Sequence, residues 1–341
     1  MKKIMIFGPG MHEHVLKWNS FYHGCSLDVN SLDHVNKYKN LYKIFYIALK
    51  KFGRRYDISH VHFASSYGLL YWLIPCFSNL SIISIWGTDI NRFVRPRKRY
   101  AKLWKVLILT SLKKFDIVNV PSERIKKILI SWGVSPDSIL VMQYGIDLSH
   151  IETIKGNRNK KYNPPRFVSI RNFSEIYNIR YLVDAFSDLS QKFSFELLVL
   201  GCGSRSEVLE IEEYIENRYD PRIKFIGCLG RQEFYDELVQ ANYFVSIPRT
   251  DGLSLAVLEA LACGSVGIVS DIEAYDESVF NGAVVKVPLN NSSEFSKKIS
   301  KILTNRGDFD LKTPLLEEYD MSKNMKKFRS ITGVEGCHES L

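Results

Sequence analysis

Three observations predict an α/β chain built from two domains, each with a parallel sheet. Strand-like runs alternate with helical stretches from end to end, the rhythm breaks once at residues 154–165, and 341 residues suffice for two domains of ordinary size. Short apolar strands separated by helices pair in parallel, because each crossover lays a helix on a sheet face.

The elements follow in order. Met1-Lys-Lys-Ile-Met-Ile-Phe7 is a short apolar run ending at Gly8-Pro9-Gly10, which reads as a first strand and its loop rather than a leader peptide. Residues 67–86 are apolar enough to suggest a membrane span, but Gly68, Pro75, Ser78, Asn79, Ser81 and Ser84 interrupt them. A short helix, a turn at 75–79 and a buried strand at 80–86 are expected instead. Further strands are expected at 58–63, 117–120 and 140–142, then at 166–170, 196–200, 223–225, 243–247, 267–269 and 283–287. The segment 154–165 is polar, basic and ends in Asn163-Pro164-Pro165, the character of an interdomain linker. Residues 320–329 look helical. The expected division is 1–153, linker 154–165, 166–319, and a C-terminal helix within 320–341.

Hydrophobic residues make up 45% of the chain, which supports two cores and argues against disorder. The six cysteines are scattered without C-x-x-C or ligand-like spacing and read as reduced, packed thiols of a cytosolic protein. His12 with His14 and His60 with His62 are two apart, but neither pair has a third ligand nearby, so no metal is expected. Charge is uneven: residues 1–150 hold 22 Lys and Arg against 9 Asp and Glu, net +13, whereas 151–341 hold 24 against 28, net −4. Nucleic acid, an anionic membrane leaflet and a phosphorylated acceptor all suit the basic half, as does a plain solvated face. No nucleic-acid motif accompanies the charge. Leu41, Ile44, Phe45, Ala48, Leu49 and Phe52 fall on one helical face edged by Lys43, Lys50 and Lys51, and Arg92–Arg99 forms a second basic cluster. An interfacial helix fits this pattern, and the apolar stripe alone fits the core side of an ordinary helix.

The most informative stretch is Arg249-Thr-Asp-Gly-Leu-Ser-Leu-Ala-Val-Leu-Glu-Ala-Leu-Ala-Cys-Gly264. A strand runs into a polar loop holding Asp251 and Gly252; a helix then starts with Ser254 as N-cap and stops before Gly264. Free backbone N–H groups and the positive helix end form an anion cradle there. Asp251 sits at the mouth and Glu259 in the second turn, two acceptor-only groups suited to sugar and ribose hydroxyls. On spacing alone, a capped core helix after a βα loop fits equally well.

The block as a whole resembles the E-x7-E signature of the retaining glycosyltransferases of family four (group 1), with Asp251 in place of the first Glu. Residues 266–271 resemble the strand that follows that signature, Glu277 falls where many members carry an acid, and Val141-Met-Gln-Tyr-Gly-Ile-Asp147 resembles the block that closes the first domain. The resemblance implies the GT-B fold: two facing Rossmann-like domains with parallel sheets and a cleft between them, the first binding acceptor, the second nucleotide sugar, and the last helix crossing back to the first.

What the resemblance implies for single residues can be stated in turn. Arg171, directly after the strand ending at Ile170, matches the arginine that pairs with the donor diphosphate, and its planar fork suits that task. The lysine usual five residues later is Ile176 here, with Tyr177, Asn178 and Arg180 following. Gly8 and Gly10 match the glycine-rich first loop, and Leu253, Ser254 and Glu259 the donor-binding block. His62, Thr88 and Asp89, at strand ends of the first domain, resemble the acceptor side, with Asp89 suited to handling a hydroxyl proton. The turn Gly201-Cys-Gly-Ser204 reads as strand-to-helix packing.

The function implied is transfer of a hexosyl group from a nucleotide diphosphate sugar, with retention, without a metal or other cofactor, the donor being a co-substrate. Arg171, Asp251, Glu259 and Asp89 would carry the chemistry. The basic first domain points to a lipid-linked glycan acceptor in bacterial cell-surface polysaccharide synthesis, of the lipopolysaccharide O-antigen or capsule type. The protein would then lie in the cytoplasm, peripheral on the inner face of the plasma membrane, against an anionic surface and without nucleic acid. Two rival readings are a non-catalytic nucleotide-sugar-binding or scaffold subunit and a sugar-nucleotide epimerase on the same fold.

Overall fold

The structure, a computed structural model, describes residues 1–9, 12–32, 37–65, 67–94, 99–155, 163–289, 291–305 and 316–334. Two compact units emerge: Met1–Gly145 together with the chain from Tyr319, and Ile146–Glu318. The first crossing thus lies at Gly145–Ile146, ahead of the expected linker at 154–165, of which residues 156–162 lie outside the described residues.

In the first unit the elements are β1 Lys3–Phe7, α1 Glu13–Ser20, β2 Ser26–Asn30, α2 Lys37–Lys51, β3 Arg55–His62, α3 Tyr67–Tyr71, β4 Phe77–Ser84, α4 Thr88–Val94, α5 Arg99–Leu112, β5 Ile117–Val120, α6 Glu123–Ser131 and β6 Ile139–Val141. The second unit holds α7 Leu148–Lys155, β7 Arg166–Ile170, α8 Ile179–Ser190, β8 Glu196–Leu200, α9 Arg205–Glu216, β9 Ile223–Gly227, α10 Arg231–Gln240, β10 Tyr243–Ser246, α11 Leu255–Ala262, β11 Val266–Ser270, β12 Val284–Val287 and α12 Ser292–Asn305. Helix α13, Met321–Thr332, belongs to the first unit.

Each unit has a six-stranded parallel sheet, ordered β2-β1-β3-β4-β5-β6 and β12-β11-β10-β7-β8-β9. The inner strands β1, β8 and β10 are buried on both faces, as parallel sheets covered by crossover helices require, whereas the edge strands β2 and β9 are partly exposed. In the first unit Met5 and Phe7 point into a core shared with α2, α3, α5 and α6. On the opposite face α13 seats Phe328 against Trp18, Phe21, Tyr22 and His60. Arg329 Nε donates to the Phe21 carbonyl and Asn324 Nδ2 to that of Gln143, so polar ties reinforce the docking.

Four local findings differ from the sequence reading. β2 was not anticipated; it is an edge strand whose Asp28 and Asn30 break the apolar signal. β4 begins at Phe77, because the turn closes by Cys76 and Phe77 N already bonds the Arg54 carbonyl. On α2, Ile44 is a core residue, and Lys51 is 2% exposed and paired with Asp28. Burial raises the Asp28 carboxyl, but Lys51 and Tyr56 outweigh it and hold the group below its usual range. Finally, Cys202 and Cys228 form a disulfide, with Cα atoms 4.9 Å apart, instead of remaining thiols. They are 26 residues apart in sequence, but adjacent strands β8 and β9 bring their carboxyl ends together.

Candidate active site

Parallel sheets collect ligands where the strand order reverses, since the loops there diverge and open a crevice at the carboxyl ends. In the second unit that point lies between β7 and β10, and in the first between β1 and β3. Arg171 and the 251–259 block follow β7 and β10, and Gly8 and His62 lie at the carboxyl ends of β1 and β3, whereas Thr88 and Asp89 follow the neighbouring β4.

After β7, Arg171 turns its guanidinium into a set of hydrogen bonds. Nε donates to Ser246 Oγ at 2.7 Å; Nη2 donates to Asp251 Oδ2 at 2.9 Å, to Tyr275 Oη at 3.0 Å and to Ser254 Oγ. Nη1 has no hydrogen bond to a described residue, and the Tyr177 ring lies 5.2 Å from the guanidinium carbon. Burial lowers the Arg171 pKa, but the adjacent Asp251 charge more than offsets this and raises it above its ordinary value. The site therefore holds a permanent cation, fixed in orientation and bonded through only part of its donor fork.

The loop after β10 leads into α11. Ser254 caps it, its Oγ accepting from Val257 N at 3.3 Å, and Asp251 Oδ1 accepts from Gly252 N at 2.8 Å. Leu253 is buried beside the cap. Within α11, Glu259 is 3% exposed; its Oε1 accepts from Arg231 Nη2 and, at 3.1 Å, from Tyr235 Oη. Oε2 takes no described partner and is not among the sealed, unpaired atoms. One oxygen is held by protein and the other remains an acceptor, an arrangement that suits a ribose diol.

A close approach fixes the Arg171 loop. A Cβ on Gly201 would lie 1.7 Å from the Arg171 carbonyl oxygen, and Arg171 N and Phe173 N donate to the Leu200 and Cys202 carbonyls. The glycine turn at 201–203 thus serves loop packing. Of the candidates for the missing lysine, Arg180 pairs with Glu210 and stacks on Tyr214, while Asn178 Nδ2 donates to the Ile247 carbonyl and Oδ1 accepts from Arg249 Nε at 3.0 Å. Both brace the scaffold. Sequence reasoning missed Ser246, Tyr275, Arg231 and Tyr235. Arg231 had a signal: it opens α10 directly after β9, at a helix start marked by Glu233 Oε2 accepting from Gly230 N at 2.9 Å.

In the first unit Gly8 lies at the reversal point, where an added Cβ would meet His62 Cβ at 2.9 Å; Gly10 lies outside the described residues. His62 is fully buried, and among the described residues neither of its ring nitrogens nor Trp86 Nε1 has a hydrogen-bond partner. Burial, then the charges of His60, His14 and His12, push its pKa well down, so the ring is neutral. The His12 ring lies tilted 4.5 Å from that of Trp86, and His14 bonds Tyr144 Oη. Thr88 is exposed at the start of α4.

Asp89 is the correction. Expected to meet a hydroxyl, it has no exposed surface: Oδ2 accepts from Ala64 N at 2.8 Å, and Oδ1 from Gly87 N at 3.0 Å and Trp86 N at 3.2 Å. It ties the loops after β3 and β4, so it positions Trp86 and the His62 loop. Burial pushes its pKa up to about 6 against those backbone hydrogen bonds.

Among the described residues no group of three or more His, Cys, Asp or Glu side chains is placed to hold a metal, and no helix is long and apolar enough to cross a membrane.

Residues 27–150 match the family described as Glycosyltransferase Family 4, and residues 164–305 match Glycosyl transferases group 1. An uncharacterized glycosyltransferase of Methanocaldococcus jannaschii is 22% identical over 232 residues, 64% of this chain and 58% of the relative. The match thus spans little more than half of that relative's length. Among solved structures, sucrose-phosphate synthase of Thermosynechococcus elongatus superposes with a TM-score of 0.73 at 14% identity, covering 98% of this chain and all of that one. HepE of Anabaena, in complex with UDP and glucose, gives 0.70 at 12% identity with the same coverage. The lipopolysaccharide outer core galactosyltransferase WaaB gives 0.63 at 14%, again with that coverage. At these identities the likeness speaks for the fold, and it agrees with the two six-stranded parallel sheets. Taken with the two family matches, it leads to one conclusion: the chain belongs to the family-four glycosyltransferases and has the GT-B fold of two Rossmann-like units.

Proposed function

We infer that the chain transfers a hexosyl group from a nucleoside diphosphate sugar to a glycan acceptor carried on a lipid, with retention of anomeric configuration and without a metal. The observation that carries the donor half is Arg171, a fixed cation at the reversal point of the second sheet, beside the capped N-terminus of α11. Fixed charge and free amides aimed at a leaving diphosphate supply the electrostatic stabilisation for which other enzymes use a cation.

In the reaction the bond from the anomeric carbon to the diphosphate oxygen breaks and its electron pair stays with the phosphate. Arg171 and the α11 amides neutralise that charge. The acceptor hydroxyl adds to the anomeric carbon from the side the phosphate leaves, and its proton passes to the departing phosphate oxygen. Asp251 holds Arg171 in place and takes a sugar hydroxyl; Glu259 Oε2 takes the ribose. Asp89 acts as a positioning residue. The unpaired His62 nitrogens and Trp86 Nε1 support an acceptor side in the first unit, because buried polar atoms ordinarily have partners.

UDP-sugars are the first donors to test, since HepE, a protein of the same fold, is known in complex with UDP and glucose. The basic first half supports a lipid-linked acceptor at an anionic inner leaflet, as in cell-surface polysaccharide synthesis. The test is proton NMR of purified protein with each donor in metal-free buffer. Slow release of the sugar with its donor anomeric configuration is expected. Release with inverted configuration, or only after a divalent ion is added, overturns the mechanism.

A further inference from the structure

Two helices on one face of the first sheet are apolar on both of their sides. On α2, Ile44 and Ile47 enter the core, whereas Tyr42, Phe45, Tyr46 and Leu49 lie outward at spacing i, i+3, i+4, i+7 and are more than half exposed. Such spacing makes a second continuous stripe, not scattered surface residues. On α5, Ile108 and Leu112 are buried, while Leu103, Trp104, Val106 and Leu107 face outward. Between the two helices in the chain, Leu73 and Phe77 are also exposed, at 62% and 66%. α2, α3 and α5 pack on the same core, so their outer surfaces belong to one side of the unit. Exposed apolar surface gathered in this way marks an interaction site.

Charge decides what it meets. Residues 37–55 hold seven Lys and Arg, residues 92–115 hold nine, and neither stretch has an Asp or Glu. Lys51 is consumed by Asp28, but Lys50, Arg54, Arg55, Lys102, Lys113 and Lys114 are exposed. Lys50 lies 5.9 Å over the Tyr46 ring and Lys114 5.4 Å over that of Trp72, so cations edge the apolar stripes. The expected interfacial stripe is thereby redrawn: its outward members are Phe45, Leu49 and Phe52, not Ile44. The side chains of Leu41 and Arg99, with Arg95, Arg97 and Lys98, lie outside the described residues.

We propose that this face docks on an anionic lipid bilayer, with α2 and α5 lying along the surface, their aromatic and aliphatic side chains in the acyl boundary and their lysines and arginines among the phosphates. A second copy of the chain would bring two basic surfaces together, which repels. Nucleic acid would use the cations but leave both apolar stripes in water. An anionic bilayer satisfies both features. The proposal deepens the lipid-linked acceptor reading, on which its biological sense rests, by giving that acceptor's membrane a face of the protein.

The test is flotation of the full-length protein with vesicles of phosphatidylglycerol and phosphatidylcholine in equal parts, and with phosphatidylcholine alone. Wild type should float with the anionic vesicles only. The pairs Phe45→Ser with Leu49→Ser, and Trp104→Ser with Leu107→Ser, should each lower partition about tenfold while circular dichroism stays native. Flotation unaltered in both pairs overturns the proposal, because headgroup attraction alone would then explain binding. So does a wild type that stays with the soluble fraction, or one that forms a dimer which the same pairs dissociate. Donor hydrolysis measured without vesicles separates the two readings: flotation without hydrolysis removes the transferase reading alone, and hydrolysis without flotation removes the docking face alone.

Discussion

Arg171 Nη2 and Asp251 Oδ2 lie 2.9 Å apart, with only 10% and 12% of their side chains exposed, so the cation proposed to meet the donor is held by an internal carboxylate. A buried charge left alone costs far more than the same charge paired. Removing Asp251 should therefore injure the free protein more than the donor-bound one, whose diphosphate supplies a replacement anion.

Asp251→Asn is expected to lower stability by about 3 kcal/mol, the cost of an unpaired buried charge. Thermal unfolding with and without UDP measures it. The rise in Tm on adding UDP should be larger in the variant than in wild type; an equal rise contradicts the account.

Arg171→Ala should lower kcat for donor hydrolysis by about 10²–10³-fold, the usual loss when one electrostatic donor to a developing anion is deleted. Steady-state kinetics measure it. Arg171→Lys should recover little, because one ammonium cannot make the bonds to Ser246, Asp251, Ser254 and Tyr275 and still face the donor.

Gly201→Ala forces a methyl group to within 1.7 Å of the Arg171 carbonyl, a contact that the backbone must relieve by moving. A loss of about 3 kcal/mol in urea unfolding is expected, at the upper end for one substitution. Donor affinity should fall with it. Normal affinity in a folded variant would show that the glycine turn does not set the Arg171 loop.

Two groups in the first unit give opposite pH slopes. Asp89, raised to about 6 by burial, contributes stability that is full below its unfolded pKa of about 3.9 and is lost as pH rises through its folded value. His60, pushed down to about 3 by burial, contributes stability present above its unfolded pKa of about 6.5 and lost as pH falls. Asp89→Asn isolates the first effect. From about pH 4 to pH 7 the stability difference should move in the variant's favour by about 3 kcal/mol, read from urea unfolding; a constant difference contradicts the burial argument.

The sequence made most strands legible because a parallel strand covered on both faces is a short apolar run bounded by turns, and β1, β7, β8 and β10 are such runs. β2 escaped because it is an edge strand rich in polar residues. At the candidate site, Arg171, Ser254 and Glu259 stood out through the resemblance of the whole block to the family, since by spacing alone a capped core helix and a surface arginine fitted equally well. Tyr275 and Ser246 did not, since they reach Arg171 from 104 and 75 residues away and no local pattern marks them. The Cys202–Cys228 pairing was hidden for the same reason: it depends on which strands are neighbours. Asp89 was legible as a strand-end acid, but its burial was not, because the amides that enclose it come partly from another loop.

The most direct test of the account is saturation-transfer NMR of wild type, Arg171→Ala and Glu259→Gln against UDP-, GDP- and ADP-sugars, with a CMP-sugar as the monophosphate control. One nucleoside diphosphate sugar should bind wild type, lose its signal in both variants, and be hydrolysed slowly. Binding that persists unchanged in both variants, or no binding by wild type to any diphosphate sugar, would contradict the assignment of the donor site.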